Sequence, residues 1–301
     1  MTITSIFLIM VSACLHAWWN LRSKRSPSVA FFFLAMGAGS VALLPILVYQ
    51  YNILLSIPLS IWTLLLVSSV FQFIYIAGLA KAYQTGGMSI VYPVIRALPV
   101  LLVPLYNILI GNGQQIGWLG LTGMIIIGVS CLIIPMKDFK DFQLANYFNK
   151  QTLFALISAV GTCGYSIIDD QTIRSLEQST QLGLSKTSSS TIFWVLQSIL
   201  STGWLGLYSF LSKNEKSNLR LLIKDFNWHP VYTGIILSAS YGLILLSMPY
   251  VTNVSYVVAF RQLSIPIGAA MGIFLLREGL YPPKTVALIF IFLGLIMVSL
   301  G

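Results

Sequence analysis

Charge is what this 301-residue chain has least of: 8% of its residues are Asp, Glu, Lys or Arg, against about a quarter in a soluble domain. A surface that poor in charge does not keep a folded chain in water, so a soluble enzyme or binding domain is excluded. Histidine is nearly absent, with His16 and His229 the two in the sequence. Neither HExxH nor CxxC spacing occurs, which leaves a metal centre without ligands. Cys14, Cys131 and Cys163 lie in apolar stretches, where a thiol behaves as a small hydrophobe. Their odd number offers no disulfide framework. A GxxxxGK[ST] loop and a nucleophile elbow are missing too, so no cofactor and no catalytic role is expected. Disorder is excluded from the other direction, since 57% of the residues are hydrophobic.

Long apolar runs are what the chain does have. A membrane-crossing helix needs about 20 mainly apolar residues. Ten such stretches fall at 3–22, 29–50, 60–82, 89–111, 115–135, 152–173, 188–211, 231–250, 255–276 and 283–300. They are apolar all round and do not alternate as barrel strands would. The expected fold is therefore an all-α integral membrane protein of ten transmembrane helices. Residues 1–15 hold no Lys or Arg, so the first span is expected to be a helix and not a cleaved signal. The most polar connector, 212–230, threads Leu219, Leu222, Ile223 and Phe226 between basic residues, the pattern of an interfacial helix.

Basic residues divide sharply between alternate connections. The side reached after span one collects 13 Lys and Arg, from Arg22 and Lys24 to Lys284. The opposite side, which holds both termini, collects Arg174 and Lys186, and Arg96 and Arg261 complete the 17 from inside spans. An asymmetry of that kind sets membrane orientation, so the net charge of +9 is a topology signal and not a nucleic-acid footprint. It puts both termini outside a cell membrane of bacterial inner-membrane type.

The halves also repeat. Residues 89–95 (SIVYPVI) lie over 255–261 (SYVVAFR), and Gly113 and Gly128 lie over Gly279 and Gly294, all at a shift of 166. With five spans per half, the second half enters the membrane inverted. The expected units are 1–145 and 146–301, with a solute site between them near the midplane.

A few polar residues lie deep in these spans. His16, Asn20 and Lys24 sit at i, i+4 and i+8, on one face of span one. Lys24, at the helix end, equally suits snorkelling to the interface. His16 lies about two turns deeper and needs a partner, and imidazole titrates near neutral pH. In span six, Tyr165 and Asp169 share a face, whereas Asp170 and Arg174 make a helix-end ion pair. Asp169 is the inward carboxylate, a candidate for coupling. Arg96 lies between Pro93 and Pro99, and Arg261 precedes Pro266. Proline removes a donor and frees a carbonyl one turn earlier, which makes these helices locally polar. An arginine at that depth faces the bundle interior, as a substrate contact or as an internal ion pair with Asp169. As a pair entering from opposite faces, the two would clamp an anion, since a guanidinium fork matches carboxylate and phosphate.

These residues carry a resemblance. His16-Ala17-Trp18-Trp19-Asn20 followed by Lys24 resembles the HAxWNxxxK opening of one branch of EamA-type transporters, in the drug/metabolite transporter superfamily. Ala82-Tyr83-Gln84-Thr85-Gly86, Tyr92-Pro93-Val94-Ile95-Arg96, Tyr165-Ser166-Ile167-Ile168-Asp169 and Phe260-Arg261 are similar to further segments of that branch. The resemblance spans the chain and implies two inverted five-helix repeats that move a small solute without ATP. It departs at Gln262, where the branch tends to have Glu, and at Gly87, where it tends to have an acid. Both departures remove carboxylates suited to a coupling proton, so uniport and exchange stay open.

The expectation is a secondary active or facilitative transporter of a small anionic or zwitterionic metabolite, such as an amino acid, organic acid or phosphate ester. Arg96, Arg261, Tyr92, Asn20 and Tyr165 are the expected substrate contacts, with His16, Lys24 and Asp169 in coupling or gating. Its partners are then a solute and the lipid bilayer. The alternative is a membrane sensor or assembly partner of the same fold. An intramembrane enzyme ranks below both, because no catalytic groups cluster.

Overall fold

The computed structural model describes residues 1–23, 28–85, 88–134, 136, 138–141, 149–276 and 279–301. Side chains are described for all of these except 21–22, 88–94, 141 and 275–276. Among the described residues the chain is all helical. In order it runs α1 (Ile3–Ser23), α2 (Val29–Tyr49), the short α3 (Tyr51–Leu54), α4 (Leu59–Thr85), α5 (Met88–Leu109) and α6 (Trp118–Ile133). There follow α7 (Lys150–Gln178), α8 (Lys186–Leu211), α9 (Lys213–Lys224), α10 (His229–Ser247), α11 (Val254–Phe260), α12 (Ser264–Leu276) and α13 (Pro282–Leu300).

Helix starts are written in small polar residues. Ser28, Asn149, Ser185, Ser212 and Asn253 each precede a helix and accept from a backbone N–H of its first turn. Such caps satisfy donors that a helix cannot satisfy itself. Seven helical stretches among the described residues are long and apolar enough to cross a membrane, the make-up of a multi-pass membrane protein. They correspond to expected spans one, two, three, six, eight, nine and ten. Expected spans four and five hold the shorter apolar stretches Ile95–Leu109 and Trp118–Ile133. Span seven is α8, a 26-residue helix whose many Ser and Thr residues lower its hydropathy. The outer faces carry Phe7, Val48, Leu105, Leu207, Phe274 and Phe292 exposed, a surface that suits lipid and not water.

One connector is helical, as its sequence pattern suggests, and one expected span differs from the expectation. The connector after α8 forms its own helix, α9, whose buried Glu215 accepts the Ala30 N–H at 3.0 Å near the start of α2. Expected span nine is divided: α11 ends at Phe260, a tight turn covers Arg261–Leu263, and α12 begins at Ser264. Pro266 lacks the N–H that would close on Gln262, so the backbone tightens there.

The principal packing partners are α4 with α7, α6 with α13, α1 with α10, α2 with α10 and α8, and α5 with α7 and α6. Gly78 and Gly161 let α4 and α7 approach backbone to backbone. A methyl on Gly161 would stand 2.5 Å from the Tyr75 nitrogen, and one on Gly78 would stand 2.9 Å from the Ser158 nitrogen. Both chain ends lie at one end of the bundle. The Thr2 hydroxyl donates to the Tyr250 carbonyl (3.1 Å), and the Tyr256 hydroxyl donates to the Gly301 carbonyl (2.9 Å) while accepting the Gly117 N–H (2.9 Å). Glu215 with Ala30, and the Phe31 ring 5.2 Å from that of His229, gather connections at the other end.

Candidate functional site

Two adjoining cavities open inside the bundle. One is lined by Arg96 and Pro99 of α5, Tyr75 of α4, Thr162 and Tyr165 of α7, and Arg261 and Gln262 of the turn between α11 and α12. The other is lined by His16 and Trp19 of α1, Gln72 and Tyr75 of α4, Tyr165 of α7, Ser240 and Tyr241 of α10, and Arg261. Tyr75, Tyr165 and Arg261 belong to both, so the two are lobes of one site.

Arg96 and Arg261 line the same cavity. Arg96 lies eight residues into α5 and Arg261 seven residues beyond the start of α11, about 10–12 Å along each segment. Arg96 is buried and its Nη2 meets Nε2 of His16, which itself packs edge-on to Trp19 at 4.8 Å. Arg261 Nη1 donates to the Tyr165 hydroxyl at 3.2 Å, with its guanidinium carbon 5.9 Å from the centre of that ring. Tyr165 is flanked by Tyr75 (5.6 Å between centroids) and Tyr241 (5.8 Å). A cationic lobe thus grades into an aromatic one.

Asp169 stands behind this site. It is fully buried and lines neither cavity, and among the described residues no ion-pair contact within 4 Å joins it to an arginine. Its Oδ1 accepts from the Ser68 hydroxyl of α4 at 2.5 Å, and its Oδ2 accepts from the Tyr241 hydroxyl of α10. Asp170 pairs with Arg174 at 2.9 Å, the helix-end ion pair that the spacing predicts. Arg174 also donates to the Val251 carbonyl at 3.0 Å.

Other expected residues fall elsewhere. Asn20 is buried but is not among the cavity residues, and its carbonyl accepts the Ser23 hydroxyl at 3.0 Å. Lys24, Gly87, Arg277 and Glu278 lie outside the described residues, and Tyr92 lies on α5 with its side chain outside them. Among the described residues no three His, Cys, Asp or Glu gather as a metal site. The residues that the sequence reading passed over are Ser68, Gln72, Tyr75 and Tyr241. The first three fall at i, i+4 and i+7 of α4, a polar stripe on one helical face.

No family model matches this chain, and no curated protein matches it in sequence. Its fold is nevertheless a recurring one, matched by 27 chains of solved structures. One, described as a crystal structure of a protein, matches over 98% of this chain and 95% of its own length, with a TM-score of 0.63 and 12% identity. At that identity the likeness shows the fold alone.

Proposed function

We propose that this chain is a secondary transporter of a small anionic or zwitterionic metabolite, built as inverted repeats 1–145 and 146–301 of five spans each. The ten spans are α1, α2, α4, α5 and α6, then α7, α8, α10, the divided α11–α12, and α13. Packing supports the repeats. Exchanging each span for its counterpart turns α4–α7 into α10–α1, α2–α10 into α8–α4, and α5–α7 into α12–α1, all of which are observed contacts. The pairs α6–α13 and α2–α8 exchange with themselves, as an axis between the halves requires. Arg96 and Arg261 sit on counterpart spans. In this reading the EamA-type resemblance is one of kinship.

The observation that carries the function is the shared cavity. One arginine from each half lines a small pocket inside a bundle whose outer surface suits lipid. Two guanidinium groups at membrane depth are costly unless something uses them. A carboxylate or phosphate meets them through paired N–H donors, and lysine does not reproduce that geometry. Access alternates as one half rocks against the other around the fixed site.

A thermal-shift screen of purified protein against amino acids, organic acids and phosphate esters tests this. A ligand that binds the folded state alone raises its apparent stability. Arg96→Lys and Arg261→Lys are then expected to keep the unliganded melting temperature and lose most of the ligand-induced rise. A Lys variant that still responds fully removes that arginine from the site.

A further inference from the structure

Asp169 is a buried carboxylate that the solute cavity does not use. It has no exposed surface and, among the described residues, no ion pair. Both oxygens are instead held by hydroxyls from two other helices, Ser68 of α4 and Tyr241 of α10. With Asp169 ionised these are charge-assisted hydrogen bonds, stronger than neutral ones, and they tie α7 to α4 and α10. We propose that Asp169 is a proton-binding site separate from the solute cavity, and that its proton occupancy sets the tie between α4, α7 and α10.

The groups around it make the choice of ion. Tyr241 faces it from α10, Tyr165 and Asp170 lie on its own helix, and Asp170 turns to Arg174. Tyr75 of α4 packs on Tyr165, and Arg96 of α5 meets His16 of α1. Arg261 reaches Asp169 through its field, while its N–H donates to Tyr165. Helix α8 brings no charged residue between Lys186 and Lys213, and Tyr208 is its titratable group there. A hydrated metal ion needs a shell of oxygens and room for it, and Asp169 borders neither cavity. A proton needs only a lone pair. On protonation the acid O–H donates, and Ser68 reverses from donor to acceptor, as a hydroxyl can. The bonds lose their charge assistance and the tie slackens.

In the same proposal, the polar face of α8 supplies the route to this site. Ser190, Trp194, Gln197, Ser201 and Trp204 fall within about 80° of one helical face. Trp194 packs on Gly242, beside Tyr241, and the Trp204 N–H donates to Ser69 (3.0 Å), beside Ser68. Gln197 and Ser201 lie between these two anchors along α8. Both are fully buried, and among the described residues neither the Gln197 amide nor the Ser201 hydroxyl has a hydrogen-bond partner. Buried polar groups cost free energy unless they are bonded, and a file of water through this face would bond them.

The proton site stands on geometry alone, whereas its use in coupling rests on the transport reading. Infrared difference spectra of the reconstituted protein, recorded across a pH titration without solute, test the site itself. The expected result is a C=O band of a buried protonated carboxylic acid that appears with falling pH, vanishes in Asp169→Asn and moves in Tyr241→Phe and Ser68→Ala. Exchange of that band's proton in D2O is expected to slow severalfold in Gln197→Leu. Absence of any such band at every pH, or its persistence in Asp169→Asn, overturns the site. Should Asp169→Asn fail to fold, a band unmoved by both Tyr241→Phe and Ser68→Ala overturns it equally. Unchanged exchange in Gln197→Leu overturns the α8 route. None of these readouts involves solute, so a negative anion screen sinks the transport reading and leaves them standing.

Discussion

At the scale of single residues, the site is a matter of what each arginine leans on. Arg261 has the Tyr165 hydroxyl as acceptor and the Tyr165 ring beneath its guanidinium. Tyr165→Phe removes the acceptor and keeps the ring, so it separates aiming from stacking. A lost hydrogen bond of this type is worth about 1 kcal/mol, roughly fivefold in affinity. Titrating wild type and Tyr165→Phe with an anion found in the screen should show a loss of that size, with the melting temperature of the free protein little changed. No loss would mean that the hydroxyl does not aim Arg261. Charged residues were the legible part of this site, because a charge at membrane depth must be explained. Arg96, Arg261, Asp169 and the Asp170–Arg174 pair were all readable from position alone. Ser68 and Tyr241 were not, since hydroxyls are common in apolar helices and only their partner gives them meaning.

At the scale of elements, close packing is carried by glycines whose neighbours are backbone. Gly78 and Gly161 face one another's helices across the α4–α7 seam, where a methyl would meet main-chain atoms that cannot swing away. Gly203, in α8, has open space where its methyl would go. Gly161→Ala should therefore destabilise by about 1–3 kcal/mol, the usual cost of overpacking. Gly203→Ala should be neutral or gain up to about 1 kcal/mol from helix propensity and a less flexible unfolded chain. Thermal unfolding of both variants in one detergent checks the pair, and equal melting temperatures would contradict it. Proline placement made the divided α11–α12 partly legible. Pro266 marks lost pairing near Arg261, yet Pro99 and Pro104 sit inside the continuous α5. What decides between a break and a tolerated proline is the packing of neighbours, which a local sequence pattern does not contain. The amphipathic α9 was legible as an interfacial segment, but its role in holding the start of α2 through Glu215 was not.

At the scale of the whole molecule, the question is which end faces the cytoplasm. The end that gathers residues 1–2, 117, 250–256 and 301 carries Arg174 and Lys186 as its basic residues. The other end carries α9, with Lys213, Lys216, Arg220 and Lys224 on one short helix, together with Lys81, Lys140, Lys150 and Lys284. Basic residues in short loops stay on the cytoplasmic side during insertion, and anionic lipid there attracts them further. The proposal of two repeats adds a constraint. With five spans each, the halves are inserted in opposite senses, so the charge bias must be read over the whole chain and not one repeat. Read so, 13 basic residues against 2 predict that both termini lie outside. A phosphatase fused after Gly301, active only when exported, should then be active, and a fluorescent protein that matures in the cytoplasm should stay dark there. Moving the fluorescent protein into the connector between Asp225 and Trp228 should make it bright, because that connector lies at the opposite end. Fluorescence from the C-terminal fusion together with an inactive phosphatase would invert the molecule, placing α9 and its lysines outside.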